Sequence, residues 1–337
     1  MSSIPLLASF PPNRESLRIL GKELSWSTES RNKAQDLFDQ GLPPLIDTSV
    51  LPFLFGVSAK LIAAMGKFSE RYYRTFEVPK KSGGQRKIEA PRRFLKLLQR
   101  WIYAHMLCKS TFPSYVTGFV SGRSIFDNAK YHLSGRNLLV IDIQDFFPSV
   151  KPDAILSVFK SVGFPLPVAH QLSSLCTLYG RLPQGAPTSP AIANLAFTAV
   201  DKQLYELTGN WRCHYTRYAD DMTFSGSKSF TNRDIDIVAR ILMPYGFLVN
   251  RSKSRIIGSG GRQIVTGLVV NRVAQPPRYK RRMWRAMFHR AFMHPREFSG
   301  RVGELQGVAS FVNQFSPSLA SKYLQVVTRL SIFPSKK

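Results

Sequence analysis

The sequence predicts an α+β fold with two or three subdomains, and three observations lead to it. Short apolar segments of strand character alternate along the chain with stretches of helical spacing. Two of the strand-like segments carry acids, one inside an apolar run and one at a turn. The chain then closes in a basic stretch with helical periodicity. With 337 residues and 44% apolar content, it is long enough to bury a large core.

Taken in order, residues 1–70 read as mixed helix and loop. Asp47-Thr48-Ser49 offers a cap for a helix start, and Ser58 to Phe68 has helical apolar spacing. Thr75 to Pro79 and Lys80 to Ile88 read as strand, Gly83-Gly84 turn and strand, a basic hairpin. Phe94 to Leu107 is expected to be a helix and Leu138 to Ile143 a buried strand ending near an acid. Pro152 to Tyr179 should hold one or two helices, interrupted at Gly163-Phe164-Pro165. Ala191 to Leu207 reads as one helix rich in small residues. Trp211 to Ser225 alternates like a hairpin with Ala219-Asp220-Asp221 at its tip. Asp234 to Tyr245 is expected as a helix, Gln263 to Asn271 as a strand, and Tyr279 to Leu330 as basic helix.

Charge narrows the function. Lys and Arg number 47 against 21 Asp and Glu, for a net charge of +26. Such a field attracts polyanions, nucleic acid first, with anionic lipid as the alternative. Apolar runs such as Leu51 to Phe55 are too short to span a bilayer. Met1 to Phe10 has neither a basic start nor a small-residue cleavage site, so no secretory signal is expected. Cys108, Cys176 and Cys213 form no CxxC pair, which argues against zinc or a disulfide framework. A reducing cytoplasm fits, and burial is the expectation for each thiol.

The acids carry the chemistry. Asp142 lies in the apolar run Val140-Ile141-Asp142-Ile143, where a carboxylate is costly unless a charge answers it. Asp220 and Asp221 are adjacent at a turn and repel each other. A divalent cation relieves both problems, because hard ions take one or two protein carboxylates plus substrate phosphates. Two ions can serve phosphoryl transfer, which needs positioning and charge neutralisation rather than a catalytic His or Ser. The plainer alternative is a helix cap at Asp142 and an ordinary turn at Asp220-Asp221.

In order along the chain, Asp142-Ile143-Gln144-Asp145-Phe146-Phe147, Pro183-Gln184-Gly185-Ala186-Pro187-Thr188-Ser189-Pro190 and Tyr218-Ala219-Asp220-Asp221 resemble the palm motifs of reverse transcriptases. The resemblance extends from about Phe76 to about Pro317. It implies a right-hand polymerase with fingers, a palm of antiparallel sheet and packed helices, and a small helical thumb. The expected division is an N-terminal helical extension over 1–70, fingers over 71–138, and palm over 139–274 including the 151–190 finger/palm connection. A basic helical thumb would follow over 275–337.

Carried over residue by residue, the resemblance makes Asp142, Asp220 and Asp221 the catalytic, metal-binding acids. Ile143 would add its backbone carbonyl to the two Mg²⁺ ions, with Mn²⁺ as the alternative. Phe147 matches the ring that excludes a ribose 2′-OH. Asp145 and Phe146 flank that ring as nucleotide-site residues, Phe146 reading better as core. Gln184 and Gly185 match the loop against nucleotide and template. Lys80 and Arg86 resemble the finger residues that hold the triphosphate, with Lys81 and Lys87 as competing candidates. Lys253 resembles a lysine that protonates pyrophosphate.

Two further blocks resemble the bacterial retron branch. Asn128-Ala129-Lys130-Tyr131-His132 is similar to its NAxxH element and Val265-Thr266-Gly267 to its VTG element. The resemblance assigns Asn128, Ala129, His132, Val265, Thr266 and Gly267 to recognition of the cognate RNA, with Asn128 and His132 on one helix face. Gly118-Phe119 and Gly122-Arg123-Ser124-Ile125 fit the same pattern. In the tail, Lys280, Arg281, Arg282 and Arg285 lie beside Tyr279, Trp284 and Phe288. This arrangement leads us to expect cations towards nucleic acid and aromatics inside. Gly303, Gly307 and Phe311 resemble the retron thumb pattern, in which small residues permit close approach.

The implied reaction copies a structured msr–msd type non-coding RNA into DNA from dNTPs. Priming from a guanosine 2′-OH would give a branched RNA–DNA product (msDNA). An accessory effector and antiphage defence follow from the resemblance alone. The sequence has no room for a ribonuclease H domain, so a host ribonuclease H is the expected partner for template removal. Three alternatives stand beside this reading. One is a reverse transcriptase of another bacterial lineage, either group II intron-like or an unclassified defence enzyme. The others are a non-catalytic RNA-binding scaffold and an RNA-dependent RNA polymerase, the last disfavoured by Phe147.

Overall fold

The computed structural model describes residues 14–80, 83–133 and 135–332. Four short helices come first: α1 (Arg14–Glu23), α2 (Thr28–Asp39), α3 (Val50–Phe55) and α4 (Ala59–Lys67). Ser27 and Ser58 cap α2 and α4 by accepting from the Ser30 and Leu61 amides. At α3 the Asp47 carboxylate accepts from the Ser49 amide, while Ser49 caps nothing with its own side chain. Leu20, Leu37, Leu51 and Met65 from these helices join the same core as Leu139, Ile141 and Phe146.

The basic hairpin pairs β1 (Tyr73–Pro79) with β2 (Gln85–Pro91), turning through Gly83 and Gly84, both at positive φ. Next comes α5 (Arg93–Ile102), which runs into one wide π-turn over Tyr103–Leu107 where an ordinary helix was expected. That turn keeps Ile102, Met106 and Leu107 all on the buried side. A capping box between Ser124 and Asp127 starts α6 (Ile125–Lys130).

The central sheet is antiparallel, in the order β4-β5-β3-β6, formed by β3 (Asn137–Gln144), β4 (Cys213–Tyr218), β5 (Asp221–Gly226) and β6 (Leu248–Ile257). Helices α7 (Pro152–Val162) and α8 (Leu166–Cys176) break at Gly163, φ 114°. The helix expected over 191–207 is two helices, α9 (Ser189–Ala196) and α10 (Thr198–Trp211), bent at the buried Phe197. After β5 comes α11 (Asn232–Leu242). The strand expected over 263–271 is instead a tiny hairpin, β7 (Ile264–Val265) and β8 (Leu268–Val269). Thr266 and Gly267 turn it, with φ of 47° and 83°, the left-handed pair that a two-residue hairpin requires.

Helices α12 (Arg278–Met293), α13 (Pro295–Phe298), α14 (Val302–Asn313) and α15 (Pro317–Leu330) close the chain around a second core, in which Phe288 stacks on Tyr323. A third, small core joins Ala129, Leu138, Val140, Val265 and Leu268, and Phe311 of α14 packs against it. No helix among the described residues is long and apolar enough to cross a membrane. The three cysteines are free, and Cys108 is exposed, contrary to the burial expected of it.

Candidate active site

The acid end of the sheet follows from register. Asp142 on β3 pairs directly with Asp221 on β5. Between β4 and β5 the chain turns at Ala219, φ 59°, and Asp220, whose carbonyl accepts from the Ile143 amide at 3.0 Å. Burial, then the charges of Asp220 and Asp142, pushes the Asp221 carboxyl up to about 6. Burial also raises Asp220, with Asp142 adding to the effect and Lys253 and Arg86 opposing it. The β3–β6 register slips between Val140 and Asp142, which leaves the Lys253 stretch of β6 bulged. From there Lys253 Nζ reaches Asp142 at 3.0 and 3.1 Å. Among the described residues no three His, Cys, Asp or Glu side chains enclose an ion by themselves. Asp142 and Asp220 instead border a cavity of about 640 Å³, with Asp221 paired to Asp142 beside it.

Lys80 and Arg86 of the basic hairpin line that cavity, as do Asp142, Ile143, Gln184 and Asp220. Asp145, at φ 45°, and Phe147 lie along the same wall. Phe146 also borders the cavity, but it is 4% exposed and packs on Phe197 and Phe247, so its ring belongs to the core, the better of its two expected readings. Lys87 is drawn off to Glu89, 3.6 Å away, and Lys81 lies outside the described residues. Gln184 accepts from the Glu89 amide through its carbonyl at 2.9 Å. Gly185, φ 135°, packs so closely on β2 that a Cβ would lie 2.9 Å from Ile88. Arg181 holds Glu89 with two bonds of 2.7 and 2.6 Å, which ties the loop region to the hairpin.

A buried polar network beneath the acid turn was missed from sequence. Arg217, fully buried in β4, donates to Asp201 through Nε at 2.9 Å and Nη2 at 2.6 Å. Its Nη1 donates to Asn194 Oδ1 at 2.9 Å and to the Ala219 carbonyl at 3.1 Å. Asn194 in turn donates to the Gly118 carbonyl at 2.8 Å, and Tyr215 donates to Asp201 at 2.7 Å. A Cβ on Gly118 would lie 2.3 Å from the Ala219 nitrogen, so only glycine fits under the turn. The available signal was an arginine two residues before the acid turn, in a segment of strand character.

The two retron-like blocks meet. Ala129 and Val265 share the third core, and Thr266 Oγ1 donates to the Ile125 carbonyl at 3.1 Å. His132 stands past the end of α6 rather than on its face, bridging Ser225 at 2.7 Å and Thr216 at 2.6 Å. Burial pushes its imidazole down to about 3. Thr117 donates to Asn128 Oδ1 at 2.8 Å, while Asn128 Nδ2 has no partner among the described residues. Asn128, Ala129, His132 and Val265 are thus buried, and their polar groups are turned to protein partners. Of the two blocks, Lys130, Tyr131 and the Thr266-Gly267 turn reach the surface.

Along α12, Arg282 and Arg285 are exposed, while Lys280 and Arg281 are half-buried. Phe288 is buried and Trp284 half-buried against Phe311, but Tyr279 stays 62% exposed, against expectation. Among the described residues nothing outside their own helix lies within 4 Å of a Cβ at Gly303 or Gly307, so neither marks a close approach between helices there.

An antiparallel sheet with acids at one end, a basic hairpin stitched over it and a separately cored helical body define a right-hand polymerase of α+β class. Residues 78–279 match the family described as reverse transcriptase (RNA-dependent DNA polymerase). The chain is 37% identical over 271 residues to the retron Mx65 reverse transcriptase of Myxococcus xanthus, covering 75% of itself and 63% of that protein. Identity to the retron Mx162 reverse transcriptase of the same organism is 30%, over 92% of this chain and 74% of that one. To the retron Ec86 reverse transcriptase of Escherichia coli it is 30%, over 86% and 91%. The chain belongs to the bacterial retron-type reverse transcriptases, RNA-directed DNA polymerases.

Proposed function

We propose that the chain extends a DNA strand on a structured msr–msd type RNA by phosphoryl transfer at Asp142, Asp220 and Asp221, with two divalent ions, Mg²⁺ or Mn²⁺. The observation that carries this reading is the gathering of the three carboxylates at one end of the sheet, where Asp142 and Asp220 line a cavity walled by Lys80 and Arg86. The donor set fits hard divalent ions: all the side-chain ligands are oxygens, and Asp220 and Asp221 are raised by burial first and then by neighbouring carboxylates, a cost that a bound cation would offset. Such ions, when bound, activate the attacking hydroxyl and neutralise the leaving pyrophosphate. Ile143 contributes its carbonyl beside them. Lys80 and Arg86 hold the triphosphate, Gln184 and Gly185 shape the floor for the base pair, and Phe147 rejects a ribose 2′-OH. Lys253 answers the Asp142 charge in the resting site and is close enough to protonate the pyrophosphate.

In this reading, fingers (71–138), palm (139–274) and thumb (275–337) follow the N-terminal helices, and Arg282 and Arg285 face the template duplex. Similarity to retron enzymes supports priming from a guanosine 2′-OH to give branched msDNA in the cytoplasm. It also supports template removal by a host ribonuclease H, and antiphage defence with an accessory effector.

The test is expression with the native upstream DNA, comparing wild type with Asp220→Asn/Asp221→Asn. A short DNA that shifts on RNase and debranching treatment, present only with wild type, is the expected result. A failure there, with extension of primed RNA intact, removes the retron chemistry and keeps the polymerase. Inactivity of a folded, RNA-binding protein favours the scaffold.

A further inference from the structure

Phe119 stands at the mouth of the same cavity in a conformation its side chain disfavours. Its φ is 59°, in the left-handed region where bulky residues are rare. Burial gives little back, because the residue is 44% exposed. The strain is imposed from beneath. Gly118 is locked under Ala219 and its carbonyl is held by Asn194, so the chain must turn away sharply at 119. Glycine or asparagine is the ordinary residue for such a turn. An exposed aromatic ring held there points to function.

That ring lies 6.0 Å from Phe147 and 6.4 Å from Tyr218, and it lines the cavity that holds Asp142. On its other side Phe147 meets Phe146 at 5.5 Å, which is anchored in the core through Phe197 and Phe247. Phe147 is half-buried and sits between a fixed ring and a surface ring. A steric wall discriminates only if it cannot yield, and a ring open on one side can rotate away from an added hydroxyl.

We propose that Phe119 is a specificity-determining residue: it braces Phe147 against the nucleotide sugar, so that exclusion of ribonucleotides depends on both rings. The inference rests on Phe147 as the sugar gate. It predicts that backbone strain and selectivity come from the same residue and can be separated. Phe119→Gly relieves the left-handed strain, so the melting temperature should hold or rise.

The experiment measures kcat/KM for one dNTP and its rNTP on a primed RNA template. It compares wild type, Phe119→Gly, Phe119→Tyr, Phe147→Ala and the Phe119→Gly/Phe147→Ala double variant. The dNTP preference should fall roughly tenfold in Phe119→Gly and return in Phe119→Tyr. It should fall no further in the double variant than in Phe147→Ala alone, since one residue acts through the other. An unchanged preference in Phe119→Gly, with Phe147→Ala collapsing it, overturns the brace and leaves the gate. Equal losses for both nucleotides, with weakened primer–template binding, overturn it in favour of base stacking. If Phe147→Ala keeps the preference, the gate reading falls and the brace with it.

Discussion

The acid-bearing sheet and the helical body at the C-terminal end solve opposite packing problems. Beneath the acid turn, polar and charged groups are sealed inside: Arg217, Asp201, Asn194, Thr216, Ser225 and His132 are all buried. Around Phe288 and Tyr323 the interior is mostly apolar, and most of the arginines there, such as Arg282 and Arg285, are exposed. A buried ion pair is a poor way to gain stability, since desolvation offsets the attraction. Its use under the turn is therefore best understood as fixing geometry. Four directed bonds from one guanidinium define where Ala219, and hence Asp220 and Asp221, must lie. Stacked rings and alanines hold the helical body through non-directional contacts instead.

The comparison breaks most visibly at Arg217. Arg217→Met leaves Asp201 as an uncompensated buried charge, and the expected cost is about 3–5 kcal/mol in denaturant unfolding. Removing both charges, as Arg217→Met/Asp201→Leu, should recover much of that stability while DNA synthesis stays low. Stability recovering together with activity would mean that the network serves folding alone.

The same contrast explains what was legible in the sequence. The α+β class was legible because most strands and helices have clean periodicities, and the three acids stood out because Asp142 interrupts an apolar strand. The longest strand of the sheet, β6, was not. It is an edge strand whose Arg251, Lys253 and Arg255 conceal the alternation. The β7–β8 hairpin was read as one strand because its turn residues, Thr266 and Gly267, sit between apolar pairs. Nor could the Arg217 network be found, since its partners come from α9, α10 and the 118 turn, and only the fold brings them together. The burial of Asn128 and His132 follows the same rule: a motif marks a position, and its depth is a tertiary fact.

A smaller effect sharpens the comparison through pH. The unfolded His132 imidazole has the ordinary value of 6.5, whereas in the fold it is held down to about 3, by burial first and then by His214. Between those values the unfolded chain binds a proton that the native chain refuses, so stability falls as pH falls below 6.5. The loss is about 1.4 kcal/mol per pH unit, or about 2 kcal/mol by pH 5. Carboxylates add their own slopes, so the readout is the difference between wild type and His132→Gln. That difference should shrink on acidification; a constant gap from pH 7.5 to 5 would show that His132 takes up its proton in the fold.

The smallest stability effect belongs to the outer face of α12. Arg282 and Arg285 are exposed, and among the described residues Arg285 makes only a long 3.4 Å bond, to the Arg281 carbonyl. Arg282→Ala and Arg285→Ala should each change unfolding free energy by less than about 0.5 kcal/mol. Their consequence lies in binding. A cation that neutralises one phosphate releases its counterions, so each loss should lower the slope of log affinity against log salt by roughly one for a primed RNA template. An unchanged slope with weaker binding would mean that these arginines act by packing. An unchanged affinity would move the duplex to another face, where exposed Tyr279 and Met283 make the next surface to test.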